Sequence, residues 1–467
     1  MTKLRMRAPR YLQPALATTV AVLAASMGSM MGCEANPNNP VGGGGAGATG
    51  GQGGATVTTT EDGGFGGFGG AGPVGGGTAC DPGVASVDDD KDGFSEEQGD
   101  CDDCDPNKSP NAAEVVAEPN PDNPNAPLPD PADEDCDGKK DLQDSDLQPC
   151  DAGLALDSQD PMDAVKAIGF CDKDKDGVAK FIKKAQWVLA DGLPPGPSVD
   201  MAKFHLGHGL LDHFGTNDKP REGEVMLALS SGTARNEDEP GFVSRNYNKG
   251  YSSNPPLTFN GESPACPGVV VPKTSVQDAA GLELEIEAPS NVLSLEFNFN
   301  FRSYEFPQFI CTQFNDFFWA NFVQGNVNQN VSFDNQMPAN PISVNAGFLT
   351  QCDCPPGGVN DCVAPPFPEI GQPQKTFKCA GVDLLDGTDF DGLSNPQSEY
   401  AGWTNAGTGW LKTTVPVKPK ELIKLRFVVF DSGVDENGKK DHNVDSTVTI
   451  DKFKWHAIPG TNETVAQ

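Results

Sequence analysis

NVLSLEFNFNFRSY, residues 291–304, is the stretch on which the fold turns. Leu293, Leu295, Phe297, Phe299 and Phe301 take alternate positions, and Ser294, Glu296, Asn298 and Asn300 stand between them. A period of two puts the apolar set on one face of a β-strand and the polar set on the other. In 423–429, Ile423, Leu425, Phe427 and Val429 alternate with Lys424, Arg426 and Val428. GEVMLALSSG (223–232), GLELEIE (281–287), DFFWANFV (316–323) and STVTIDKF (446–453) are further strand candidates, separated by loops rich in Gly, Pro and Asn. Helices are expected at 161–168 and around 178–184. Strands with one apolar face and few helices to cover them must cover one another. The chain from 155 to 457 therefore reads as mainly β, a jelly-roll-like β-sandwich with long loops.

Ahead of this domain the composition changes twice. Lys3, Arg5, Arg7 and Arg10 precede an apolar, small-residue run from Ala15 to Met27. That run is too short to span a bilayer with margin, and its flanks suit an export signal. Gly32 and Cys33 follow. A small residue before a cysteine, after such a run, resembles the lipobox of bacterial lipoproteins, with Met30 where Leu is usual. The resemblance implies cleavage after residue 32 and a lipid on Cys33, and hence a membrane partner. Glu34 after that cysteine is not the Asp that commonly retains lipoproteins at an inner membrane, so the outer membrane or cell surface is expected. Residues 33–79 are mostly Gly, Ala and Thr, bury nothing, and read as a flexible tether of roughly 35–40 Å r.m.s. span.

The chain carries a net charge of −33, and loss of residues 1–32 removes four basic side chains and no acid. Such a surface repels nucleic acid and anionic lipid and favours cations. Setting Cys33 aside leaves an even number of the 13 cysteines, so full disulfide pairing in an oxidising compartment is expected.

Residues 80–150 form an acidic segment. Asp88, Asp90, Asp92 and Gly93 make D-x-D-x-D-G; Asp133, Asp135, Asp137 and Gly138 repeat it; Asp172, Asp174, Asp176 and Gly177 give a third copy just beyond. Carboxylates at alternate positions before a turn glycine curl oxygen ligands around one hard cation, as in the first half of an EF-hand loop. Twelve-residue counting reaches Gly99 in the first loop, Asp144 in the second and Lys183 in the third, where an EF-hand places a bidentate Glu. Asp144 can close the second loop itself, with Asp141 as a further candidate. The first must be closed from elsewhere, and Asp100, Asp102, Asp103 and Asp105 are nearest. An acidic, solvated linker is the alternative reading, against which stand three copies of the loop and the cysteines among them.

The stretch from Val87 to Asp141 resembles the metal-binding motif of the MopE type, an Asp/Gly loop followed by G-D-C-D-D and D-D-C-D-G, and is similar to thrombospondin type-3 calcium repeats. It differs by a Pro/Asn-rich insertion at 118–131. The family label points to copper, but residues 80–150 contain no His and no Met. An all-oxygen set suits calcium. Downstream, DPMDAVKAIGFC, WVLADG, GLLDHFG, LSSGTAR, SYEFPQF with QFNDFFWANF, and FVVFDSG with DSTVTIDKFKW together resemble a choice-of-anchor L domain over most of 155–457. That resemblance implies a β fold on a bacterial surface protein and supplies no substrate.

Other constellations carry residue types suited to chemistry. His205, His208 and His213, with Asp212, could hold zinc in a hydrolase, but H-E-x-x-H is absent and Gly207 and Gly209 interrupt any helix. Trp403, Trp410 and Tyr400 are the compact aromatic set a carbohydrate-binding module would need. Cys352, Cys354, Cys362 and Cys379 read as a disulfide-stapled loop in preference to a zinc knuckle. Glu305, Asn315, Asp316, Asp431 and Asp445 read as turn chemistry at strand ends, with calcium as the alternative. The function expected is non-enzymatic: a calcium-stabilised surface lipoprotein for adhesion, matrix contact or recognition of an extracellular protein or glycan.

Overall fold

The structure, a computed structural model, describes residues 84–117, 119, 127–174, 176–271, 276–334, 339–354, 360–363, 376–392, 402–433 and 444–467. The signal segment, Cys33, most of the tether-to-segment junction including Cys80, and Tyr400 lie outside the described residues. Sixteen strands are present among them: β1 (Ile182–Val188), β2 (His208–Leu211), β3 (Met226–Ser230), β4 (Ser252–Ser253), β5 (Val276–Glu287), β6 (Ser294–Ser303), β7 (Phe317–Gln324), β8 (Val327–Asn330), β9 (Phe333–Asp334), β10 (Asn340–Ser343), β11 (Asn360–Val363), β12 (Thr376–Cys379), β13 (Ala406–Pro416), β14 (Leu422–Asp431), β15 (Ser446–His456) and β16 (Glu463–Ala466). One large sheet runs β1-β5-β14-β7-β10-β9, with β4 beside β5 and β8 beside β7; the other runs β16-β13-β6-β15-β3-β2; β11 and β12 pair separately as a two-stranded ribbon. All these pairings are antiparallel. Consecutive long strands change sheet, β5 to β6 to β7 and β13 to β14 to β15, so the two layers are sewn together along the chain.

The sheets meet through the faces that the alternation marks. Phe297 packs on Phe427 with ring centroids 4.8 Å apart, and Phe299 on Phe318 at 4.7 Å. Leu282, Leu284, Ile286, Ile423, Leu425 and Val429 complete the centre of the core. The expected strands at 223–232, 281–287, 316–323, 423–429 and 446–453 are all present, and the β-sandwich is the fold.

Three expectations change. Leu293 is not on the buried face: it precedes β6 and is about one-third exposed, 36%. The polar face of β6 is not a solvent face, because Asn298, Asn300 and Arg302 are buried at 1% exposure or less. Long loops lie across it, and Asp218 from one of them accepts from Asn300 Nδ2 at 3.3 Å, from Trp410 Nε1 at 2.7 Å and from the Arg302 guanidinium. Val428 is likewise buried, in a second apolar cluster with Phe259, Trp319 and Phe430 on the outside of the first sheet.

The helix expected at 161–168 forms as α1 (Pro161–Ala167), capped by Asp160, whose Oδ1 accepts from Met162 N at 2.9 Å. The one expected around 178–184 does not. Its apolar residues fit either period, and pairing of β1 with β5 decides for a strand. A helix not anticipated, α2 (Met201–Leu206), starts at the Asp200 cap and ends at Gly207.

The buried Asp218–Arg302 pair carries a test. Burial lowers the Arg302 guanidinium to about 9, so the carboxylate is what makes its charge tolerable in the interior. Asp218→Ala should cost about 3–5 kcal/mol of unfolding free energy, read as a lowered urea midpoint. Lys183→Ala, at an exposed pair with Glu287, should stay within about 0.5 kcal/mol. Equal effects would mean that Arg302 does not depend on Asp218.

Candidate metal centre

The first two acidic loops fold by the same rule. In the first, Asp88 Oδ2 accepts from Gly93 N at 3.0 Å, Asp90 Oδ1 from Asp92 N at 3.0 Å, and Asp92 Oδ1 from Phe94 N at 2.9 Å. In the second, Asp133 Oδ2 accepts from Gly138 N at 3.0 Å, Asp135 Oδ1 from Asp137 N at 3.2 Å, and Asp137 Oδ1 from Lys139 N at 2.8 Å. Gly93 and Gly138 have φ of 110° and 92°, which an L side chain rarely adopts, so the turn explains the glycine. At least one oxygen of each aspartate thus shapes the backbone, and Asp88 spends both, its Oδ1 accepting from Lys91 N at 2.6 Å.

The first loop closes one position later than an EF-hand. Asp90, Asp100 and Asp103 bring carboxylate oxygens within 4.8 Å of one another, as do Asp88, Asp90 and Asp92. Asp90 Oδ2, Asp92 Oδ2 and Asp100 Oδ2 are buried and make no hydrogen bond. Burial, with Asp92, Asp100 and Asp103 around it, pushes the Asp90 carboxyl up to about 6. Asp100 is raised for the same reasons. Of the four closing candidates, the structure brings Asp100 and Asp103 to the site. Asp102 and Asp105 instead face Lys108, at 2.7 and 3.5 Å.

Asp144 lies in the electrostatic reach of the second loop and is fully buried, with Oδ2 making no hydrogen bond among the described residues. Burial, then Asp137 and Asp135, raise its carboxyl. Lysines attend this loop: Lys180 Nζ is 3.0 Å from Asp135 Oδ2 and Lys139 Nζ is 2.6 Å from Asp137 Oδ2. Sequence reading passed over Glu114, which groups with Asp133 and Asp135 within 4.8 Å. Its Oε2 accepts from Glu134 N at 3.1 Å, its Oε1 accepts from Asp141 N, and burial beside Glu134 drives it to about 8. The signal was present: an acid in the run Ala-Ala-Glu-Val-Val, 112–116, has no apolar role. Asp141 falls in a group with Glu114 and Glu134.

In the third copy Asp174 and Asp176 are exposed, and Asp174 Oδ1 closes its own turn on Asp176 N and Val178 N, each at 2.9 Å. Asp172 turns toward the second loop. Burial and Asp146 push it up to about 7.

The segment does not stand apart from the sandwich. Ala113 and Val115 enter the main core. Asn291 bonds both ways to Ala113, at 2.9 and 2.8 Å, and the disulfide Cys150–Cys171 ties its end to the turn after α1. Cys101–Cys136 links the two loops. Cys266–Cys311 and Cys352–Cys379 are formed as well, and Cys104 and Cys354 are also disulfide-bonded.

The alternative sites lose their geometry. Trp403 and Trp410 are buried, so they offer no exposed aromatic platform. His208 is stacked on Trp187 at 3.8 Å, and burial, His205, Arg235 and Lys249 push its pKa well down. His213 faces Asp212 at 2.5 Å. Two nearby cations oppose a metal at His205 and His208. Glu305, Asn315, Asp316, Asp431 and Asp445 are buried at strand ends, where Glu305 accepts from Asp316 N and Asp445 from Tyr247 N, both at 2.8 Å, across 11 and 198 residues of chain and so beyond any local turn.

No family model matches the chain, and searches of the curated proteins and of the solved structures find no match. The geometry alone separates the aspartates. On the calcium expectation, Asp100→Asn should weaken binding at the first loop by about tenfold or more, or about 1.4 kcal/mol, whereas Asp105→Asn should leave it unchanged. Calcium titration calorimetry measures both, and equal losses would remove Asp100 from the site.

Proposed function

We propose that this chain is an exported, lipid-anchored, non-enzymatic surface protein whose aspartate loops hold calcium. In this reading the sandwich, of the choice-of-anchor L kind, serves adhesion, matrix contact or recognition outside the cell. The observation that carries the calcium reading is the first loop, where Asp90 belongs to two carboxylate groups, one with Asp88 and Asp92 and one with Asp100 and Asp103, and where Asp90 Oδ2, Asp92 Oδ2 and Asp100 Oδ2 are buried with no hydrogen bond among the described residues. Anions so placed repel one another, and a divalent cation reverses the sign of that interaction. Oxygen-only donors favour calcium over copper or zinc. The lipid on Cys33, the tether and the outer-membrane or surface location rest on the N-terminal sequence. The −33 charge argues against a nucleic-acid partner.

Two measurements test this. Calcium at about 100 times its dissociation constant should add roughly 2.7 kcal/mol of stability per site. In the mature chain, amide exchange at 88–104 and 133–146 should slow in calcium and quicken in chelator. Asp90→Ala with Asp135→Ala should abolish the response, and Asp122→Ala should keep it. Unchanged exchange at millimolar calcium would reduce these loops to a solvated acidic surface. Separately, Cys33→Ser should abolish lipid labelling and release the protein from membranes; labelling that persists would refute the anchor.

A further inference from the structure

The two loops share their main hydrogen-bond pattern, and one of the oxygens at which they differ is deeply buried. Asp90 and Asp135 hold equivalent positions, and each gives Oδ1 to the backbone of the residue two ahead. The other oxygen of Asp90 makes no hydrogen bond. The other oxygen of Asp135 takes Lys180 Nζ at 3.0 Å, with side chains only 9% and 5% exposed. This lysine does not come from the acidic segment. It lies in the turn leading to β1, where its own N–H donates to the Asp172 carbonyl at 3.0 Å. Its ammonium stands 5.3 Å from the centroid of the Phe181 ring, itself buried in the main core. Lys180 is therefore positioned by the sandwich and delivered to the second loop.

Resting on the calcium reading of that loop, we infer that Lys180 is a built-in competitor for the second site, so that the two loops take calcium with unequal affinity. Calcium sits about 2.3–2.6 Å from its carboxylate oxygens. An ammonium already 3.0 Å from Asp135 Oδ2 cannot keep its place beside a dication at the same oxygen, because like charges at such range repel strongly when water is largely excluded. Entry of calcium must displace the lysine head. Asp146 and Asp172 both lie within its electrostatic reach. At the first loop Asp90 Oδ2, Asp92 Oδ2 and Asp100 Oδ2 make no hydrogen bond among the described residues, and Lys420 Nζ donates to the Asp92 carbonyl. Lys139, the other cation at the second loop, is 46% exposed and yields its pair to water at little cost. The second site thus fills only at higher calcium, and filling it releases a contact at the sandwich edge strand β1.

The test is calcium calorimetry on the mature full-length chain in an Asp90→Ala background, where the remaining heat reports the second loop. Lys180→Met should tighten that site by about tenfold or more. Lys180→Arg should leave it weak, and Lys183→Met, which removes an equal charge three residues away, should leave it unchanged. Reductive methylation of the unmutated chain gives an independent reading: Lys180 should be shielded in chelator and modified in saturating calcium, with Lys183 modified in both. An unchanged or weaker site in Lys180→Met, or a Lys180 reactivity indifferent to calcium while calcium binds, overturns the inference alone. No calcium binding at either loop in the unmutated chain overturns the calcium reading with it.

Discussion

Everything else in this molecule hangs on the contact between the phenyl face of β6 and the facing strands β14 and β7. Phe297 against Phe427 and Phe299 against Phe318 remove large aromatic surfaces from water, each ring worth a few kcal/mol on burial. Because β6 is flanked by β13 and β15, and β14 by β5 and β7, the pair fixes the register of both sheets. A slip of one residue would turn Asn298 and Asn300 into the aromatic core.

The acidic segment exploits that core. By itself it is too polar to bury enough surface to offset its ordering entropy. It obtains order from three sources beyond its acidic residues. Ala113 and Val115 insert into the sandwich core, disulfides shorten the chain's freedom, and lysines from the sandwich side, Lys180 and Lys420, reach into the loops. The carboxylates that remain crowded and buried are then a consequence of the fold as well as of the spacing, and their raised pKa values record mutual repulsion in a partly desolvated place.

The outer face of β6 follows another logic. Asn298, Asn300 and Arg302 would be ordinary solvent residues in a two-layer protein. Here long loops cover them, and Asp218 meets a guanidinium, an amide and an indole N–H at once. Such a network favours one arrangement of the loops, since leaving any donor buried without its acceptor is costly.

The sequence by itself determined the strands whose apolar residues alternate, the helix start at Asp160-Pro161, the pairing economy of the cysteines and the turn geometry of the D-x-D-x-D-G loops, because each of these is a local property of period, cap or φ. Only the tertiary structure decided the rest. The window 178–184 fits helix and strand alike, and a partner strand claimed 182–184 while 178–181 became a turn. Asp100, Asp102, Asp103 and Asp105 are equivalent by proximity in the chain, and only packing turned two of them to the loop and two to Lys108. Glu114 and Lys180 lie outside the repeating pattern, and their place at the second loop comes from contacts across 20 and 45 residues of chain. Local spacing aims the oxygens at a centre, but which charges meet there is set by long-range packing, which no local pattern encodes.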